Sequence, residues 1–226
     1  MSDAPDNTGH RARLRQRLFE GGPDALMDHE LVEYLLALAI PRRDTKPLAK
    51  ALLKEFGGIA GLLTADSRRL ATFPGMGETS AAAIKVAQAA ALRLTQAGVK
   101  EQPVLANWQA LLDYLRADMA HHPIERVRVL HMNSRNMLIR DELMGEGSID
   151  EAAVYVREVI RRAIDLGSAA IILVHNHPSG DPAPSRADID LTRRVAEAGK
   201  RLNIALHDHI IIGTEGHSSL RAMGLI

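Results

Sequence analysis

The sequence predicts an α/β protein preceded by an all-helical region, and three observations carry that expectation. From His10 to about Gln96 the apolar residues recur at helical spacing. After about Arg126 the pattern becomes β-β-α-β-α-β, the order expected of helices packed on a sheet. Within it, Ala169–Val174 (AAIILV) is apolar at every position, as in a strand covered on both faces.

The elements follow in order. Residues 1–9 are polar and are expected to be a disordered tail. Arg11–Phe19 reads as a basic helix. Asp28–Ala39 places Leu31, Tyr34, Leu35 and Leu38 at helical spacing, and Pro41 ends it. Lys46–Phe56 is a helix stopped by Gly57-Gly58. Short helices at Ile59–Leu63 and Ser67–Leu70 lead to the turn Phe73-Pro74-Gly75-Met76-Gly77 and an alanine-rich helix from Thr79 to about Leu94. These spans define an all-α domain at 10–96. Residues 97–106, with Gly and Pro and little pattern, are the expected linker, and 107–226 the second domain. That domain opens with a helix at Asn107–Met119. Strands at Arg126–Met132 and Met137–Leu143 read as a hairpin around Asn133–Asn136. A helix is expected over Ser148–Gly167, opened by the capping box Ser148-x-x-Glu151. After the apolar strand come a loop (His175–Pro184), a helix from Ser185 to about Leu202, and a last strand at Ile204–Ile212.

Composition excludes several chemistries. The 226 residues contain 28 Lys+Arg and 28 Asp+Glu, so no charge surplus draws the chain to nucleic acid or anionic membrane. Aromatic residues make up 3%, too few for a base-stacking surface. There is no cysteine, which rules out disulfides, thiolate ligands and a Cys nucleophile. No apolar run is long enough to span a bilayer, and the polar start MSDAPDNTGH does not read as a signal peptide, so a cytoplasmic location is expected.

The chemistry concentrates in His175-Asn176-His177-Pro178-Ser179-Gly180-Asp181-Pro182-Ala183-Pro184-Ser185-Arg186-Ala187-Asp188. Residues two apart on an extended chain point the same way, so His175 and His177 at a strand exit aim both imidazoles at one place. The loop returns to a helix start, where Asp188 in the first turn can add an oxygen. Two nitrogens and one carboxylate leave a fourth tetrahedral position for water, the arrangement of catalytic zinc. Ser185-x-x-Asp188 taken alone is also an ordinary N-cap with a first-turn carboxylate. Buried imidazoles at a strand end are costly unless paired, which favours one zinc ion per chain held by His175, His177 and Asp188. The bound water needs a base that is not a ligand. Glu142 and Glu146 are the candidates, and Glu142, inside the strand pattern, is preferred to Glu146 between two glycines.

His-x-His, seven residues, Ser, two residues, Asp is the motif of the JAMM (MPN+) metalloproteases, here His175, His177, Ser185 and Asp188. The longer string HNHPSGDPAPSRAD, with DHIIIG at Asp208–Gly213, resembles the RadC-like branch of that superfamily over residues 104–226. The resemblance implies a JAMM (cytidine-deaminase-like) mixed sheet sandwiched by helices, after a small all-α domain with a helix-hairpin-helix element. It implies a zinc-dependent hydrolase of peptide or isopeptide bonds, with Glu142, five residues before Gly147, as general acid/base and Ser185 assisting the tetrahedral intermediate. Asn176 departs from the Ser or Thr usual in protease members, and Val156 stands where the branch tends to have proline.

Two weaker signals remain. The Gly75–Gly77 turn could hold a DNA phosphate on its backbone N–H groups, or simply join packed helices. Asp208 could orient a ligand imidazole from behind, or lie on an ordinary strand. The rival readings of function are a DNA-associated protein whose zinc domain is a binding module, and a metal-dependent nuclease.

Overall fold

The computed structural model describes residues 7–100, 102–147 and 155–226. The chain divides into two compact units, 1–91 and 92–226.

The first unit is helical: α1 (Asn7–Gly21), α2 (Asp28–Ala39), α3 (Lys46–Phe56), α4 (Ile59–Thr64), α5 (Ser67–Thr72) and the start of α6 (Glu78–Lys100). Each short helix has an identifiable stop or start. Gly57, at φ 73°, ends α3 in the left-handed conformation. Asp66 caps α5 by accepting from the Arg68 and Arg69 amides at 2.9 and 3.0 Å. Lys85 donates to the carbonyls of Leu63 and Ala65 at 3.0 and 2.8 Å, satisfying the end of α4. Val32, Leu36, Leu48, Ala49, Leu52, Leu62, Leu70 and Ile84 form the core. Two expectations are corrected. Residues 7–9 of the expected tail are the first turn of α1, while 1–6 lie outside the described residues. Helix α6 runs on to Lys100, into the stretch taken as linker. The cost of about 1 kcal/mol for Gly98 in a helix interior is offset by burial of Val99.

The second unit holds α7 (Trp108–Met119), β1 (Arg126–Met132), β2 (Leu138–Glu146), α8 (Val156–Asp165), β3 (Ala170–Asn176), α9 (Arg186–Lys200), β4 (Ala205–Gly213) and β5 (Gly216–Ser219). The strands form one sheet in the order β2-β1-β3-β4-β5. Only β3 and β4 run parallel, joined through α9; the other neighbours are antiparallel, so the sheet is mixed. Alternation along β3 explains its uninterrupted apolar run. Ala170, Ile172 and Val174 pack with Leu111, Leu115 and Met119 of α7. Ile171 and Leu173 pack on the other face with Val159 and Ala163 of α8 and Leu191 and Val195 of α9. Helices therefore cover both faces, as expected.

The β1–β2 turn puts Asn136 at φ 58° and uses the Asn133 side chain to accept from the Arg135 and Met137 amides. β5, four polar residues paired to the end of β4, carries no apolar alternation and was not foreseen. Helix α8 is described over Val156–Asp165, and the expected start at Ser148 with its capping box to Glu151 lies outside the described residues. Val156 is the first helical residue, a place proline suits because its amide has no partner within the helix. Among the described residues, no helix is long and apolar enough to cross a membrane.

Candidate metal centre

The centre forms where β3 ends. His175 continues the face of Ile171 and Leu173 and is fully buried. The chain then leaves the strand, with the His177 amide still paired to the Ile212 carbonyl at 2.9 Å, so His177 follows His175 along the same line. The loop beyond is laid against the β4–β5 turn. Gly180, at φ 95°, presents its carbonyl to the Glu215 amide at 3.1 Å, and a Cβ on Gly213 would stand 2.0 Å from that carbonyl. This close approach brings the chain back to α9. Ser185 caps the helix: its hydroxyl accepts from the Asp188 amide at 3.2 Å and donates to Asp188 Oδ2 at 2.6 Å, and its own amide donates to the same oxygen at 2.7 Å. The N-cap reading of this segment is realised, and the same arrangement sets the Asp188 carboxylate beside His175 and His177.

His175, His177 and Asp188 converge, with one donor atom from each lying within 4.8 Å of the others. His175 Nε2 is 2.9 Å from His177 Nε2 and 3.1 Å from Asp188 Oδ1, and His177 Nε2 is 3.7 Å from Asp188 Oδ2. Ligands about 2.0–2.1 Å from a tetrahedral zinc stand roughly 3.3 Å apart, so the spacing suits that ion. The donor chemistry suits it as well. His177 Nδ1 lies 2.8 Å from the Asp181 carbonyl, which can only accept, so the ring proton sits there and Nε2 presents a lone pair. Asp188 Oδ1 is buried and receives no hydrogen bond. A buried carboxylate oxygen facing ring nitrogens is costly unless a cation or proton is shared among them.

The electrostatics agree. Burial by itself would push the Asp188 carboxyl up, but the adjoining His175 and His177 rings and the hydrogen bond from Ser185 hold it well below the usual carboxylate range. The neighbouring Asp188 carboxylate raises His177 against the opposing effect of burial, with help from the Asp181 carbonyl and the charge of Glu125. His175 and Asp188 are closed off from solvent, whereas the His177 side chain remains 18% exposed and marks the open side.

Glu142, the base expected from the sequence, makes its ion pairs with α8 and β1. Its carboxylate is clasped by Arg162 of α8, with Nε 3.0 Å from both oxygens and Nη2 2.7 Å from Oε1, and it stands 3.6 Å from the buried His131. The Arg162 hydrogen bonds lower its pKa, which makes it a weak base. Glu146 is paired with Arg126. The carboxylate that reaches the centre electrostatically is Glu125. Glu125 lies two residues before Val127, which is opposite His175 in the antiparallel β1–β3 pairing, and its charge helps to raise His177. The Gly147 amide donates to the Glu125 carbonyl at 2.9 Å, extending the β1–β2 ladder to this residue. Asn176, fully buried between the histidines, braces both sides of it: Oδ1 accepts from the Arg126 amide at 2.8 Å, and Nδ2 donates to the Ile124 and His122 carbonyls, each at 3.2 Å. The alternation Val127, Val129, His131 extends backwards to Glu125 in the sequence, but only the β1–β3 pairing gives that position meaning.

Asp208 also differs from expectation. It holds the His209 amide at 2.7 Å, the Arg221 amide at 3.0 Å and the Ser219 hydroxyl, and no ligand imidazole. A register shift in the β3–β4 pairing puts Ile171 opposite Leu206 but Ile172 opposite Asp208, leaving His207 as the extra residue. One inserted residue moves everything after it to the other face. His209 takes the place opposite Leu173, and its Nε2 lies 2.8 Å from His175 Nδ1. Burial drives the pKa of His209 well down.

In the first unit, the Gly75–Gly77 turn uses its amides internally. Met76 donates to the Phe73 carbonyl and Gly77 to the Ser80 hydroxyl, both at 2.9 Å, while Arg43 donates to the Gly75 carbonyl at 3.2 Å.

Residues 6–82 match the family described as UPF0758 N-terminal, and residues 105–225 match the RadC-like JAB domain. The second match covers more than half of the chain and encloses β1 to β5 with the whole His-His-Asp centre, so the chain belongs to the RadC-like JAB domain family.

Proposed function

We propose that the chain is a zinc-dependent hydrolase that cleaves a peptide or isopeptide bond, with Glu125 as its general acid/base. The observation that carries this reading is the convergence of His175 Nε2, His177 Nε2 and Asp188 Oδ1 on one point with a solvent-facing side. Zinc held by these three atoms would supply a Lewis acid that lowers the pKa of water to about 7 and polarises a carbonyl.

The remaining steps belong to side chains. Glu125, which immediately precedes β1 and whose charge reaches His177, takes the proton of the attacking water and later delivers it to the leaving amine. Asn176 keeps that carboxylate in place by bonding the backbone before and after it. Ser185 holds Asp188 Oδ2 through two hydrogen bonds, which leaves Oδ1 to act as the ligand. Glu142, neutralised by Arg162, ties β2 to α8. The family suggests hydrolysis, and the preference for an amide bond rests on the resemblance of the His-Asn-His…Ser-x-x-Asp string to the JAMM metalloproteases.

The test pairs zinc titration with a screen of peptides and isopeptide-linked conjugates, using wild type, Glu125→Gln and Glu142→Gln. All three should take up one equivalent of zinc. Glu125→Gln should lose roughly 10²–10⁴-fold in turnover, the usual weight of a general base, while Glu142→Gln retains it. Wild-type protein that takes up no zinc overturns the proposal. Undiminished cleavage by Glu125→Gln removes the base from it.

A further inference from the structure

Resting on the zinc-hydrolase reading, we propose that Thr192 and His209 are positioning residues, forming a relay that sets the tautomer of His175 and turns its lone pair towards the metal position. The relay is a chain of three hydrogen bonds that starts and ends on ligand residues. The Thr192 hydroxyl donates to the Asp188 carbonyl, one helical turn back in α9. Thr192 Oγ1 lies 2.5 Å from His209 Nδ1, and His209 Nε2 lies 2.8 Å from His175 Nδ1.

The direction of each bond follows from what its atoms can do. A carbonyl oxygen has no proton, so the bond between Thr192 and Asp188 consumes the only hydroxyl proton. Thr192 Oγ1 can then only accept from His209, which places the His209 proton on Nδ1. A neutral imidazole with its proton on Nδ1 has a bare Nε2, so His209 must accept from His175. His175 therefore carries its proton on Nδ1 and presents a lone pair at Nε2, the atom 3.1 Å from Asp188 Oδ1 and 2.9 Å from His177 Nε2. The backbone of one ligand thus determines the ring state of another. The components are shielded from water, which could otherwise exchange the bonds: His175, Thr192 and His209 are all 0% exposed. Tilted packing of the His175 and His209 rings, 4.9 Å between centroids, holds the orientation.

The test uses the full chain as wild type, Thr192→Val, Thr192→Ser, His209→Gln and His209→Leu. Zinc affinity is read by calorimetry, the coordination sphere by the visible absorption of a cobalt(II) substitute, and ring protonation by long-range ¹H–¹⁵N correlation of the histidines. Wild type should show His175 and His209 both protonated at Nδ1, with or without metal. Thr192→Val, which keeps the shape and removes the hydroxyl, should weaken zinc binding about 10–100-fold, alter the cobalt spectrum and disturb the His209 tautomer. Thr192→Ser should restore all three. His209→Gln, which can both accept from His175 and donate to Thr192, should retain more affinity than His209→Leu. Zinc affinity and ring tautomers in Thr192→Val that match wild type would overturn the relay while leaving the zinc site intact. Wild type that binds no metal would instead overturn the hydrolase reading. In that case the nitrogen spectra of the metal-free protein still decide the relay: Nδ1 protonation of both rings, lost in Thr192→Val and restored in Thr192→Ser, supports it, and any other pattern overturns it.

Discussion

At the scale of single residues, the centre is balanced between a proton and a metal. In the metal-free protein the neighbouring Asp188 carboxylate raises His177 above the ordinary histidine value of 6.5. Its stabilising contribution is therefore present below that value and is lost as pH rises through the raised one. Asp188 is shifted the other way, so its contribution is present above the ordinary carboxylate value and is lost only as pH falls well below it. A metal requires His177 Nε2 bare, so zinc must displace the His177 proton. Zinc affinity should accordingly rise with pH until it passes the raised pKa of His177, with proton release on binding; calorimetry in buffers of different ionisation enthalpy checks both. Ser185 offers a second prediction. Its hydroxyl proton is on Asp188 Oδ2, so Ser185→Ala should weaken zinc binding as well as turnover. A loss confined to turnover, at unchanged affinity, would return Ser185 to the role of oxyanion donor expected from the sequence.

At the scale of elements, the loop from His177 to Ser185 depends on two glycines that touch. Gly213 lies so close to the Gly180 carbonyl that any side chain must displace one of the two strands of backbone, and Gly180 is itself in the left-handed region with Thr214 Oγ1 2.5 Å from where a Cβ would be. Gly213→Ala should cost about 1–3 kcal/mol, as other overpacking substitutions do, and should weaken zinc binding because it pushes the loop that carries Asp188 back to the centre. Denaturant unfolding and zinc titration of the same variant check the two effects. The helices of the first unit were legible because their breakers are local: Gly57-Gly58, Asp66 and Pro41 act within a few residues. The length of α6 was not legible, because Val99 earns its place in the helix by tertiary burial and not by propensity. β5 was missed for a related reason, since its pairing with β4 supplies what its polar sequence does not.

At the scale of the molecule, every residue of the centre, the relay and both faces of the sheet falls between Leu92 and Ile226, with its own apolar clusters. A fragment beginning at Leu92 should therefore fold and bind zinc with the affinity of the full chain, as measured by thermal unfolding and calorimetry. Loss of the fold in that fragment would show that the first unit supplies stability to the second. The balanced charge of 28 basic and 28 acidic residues gives no general pull towards a polyanion.

The amino-acid sequence alone determined the His175-His177-Asp188 cluster, because its members are joined by short-range geometry: two histidines on a strand exit, and an aspartate in the first turn of the helix that follows. It also determined the helix-covered sheet, since apolar periodicity records which faces are buried. What it could not determine was which carboxylate and which imidazole stand beside the ligands. The proposal of Glu125 in place of Glu142 rests on where β1 begins against β3, and the contact of His209 rather than Asp208 with His175 follows from one extra residue in β4. Strand register and bulges are settled between distant segments by packing and hydrogen bonding, and a shift of one residue reverses the direction of every side chain beyond it.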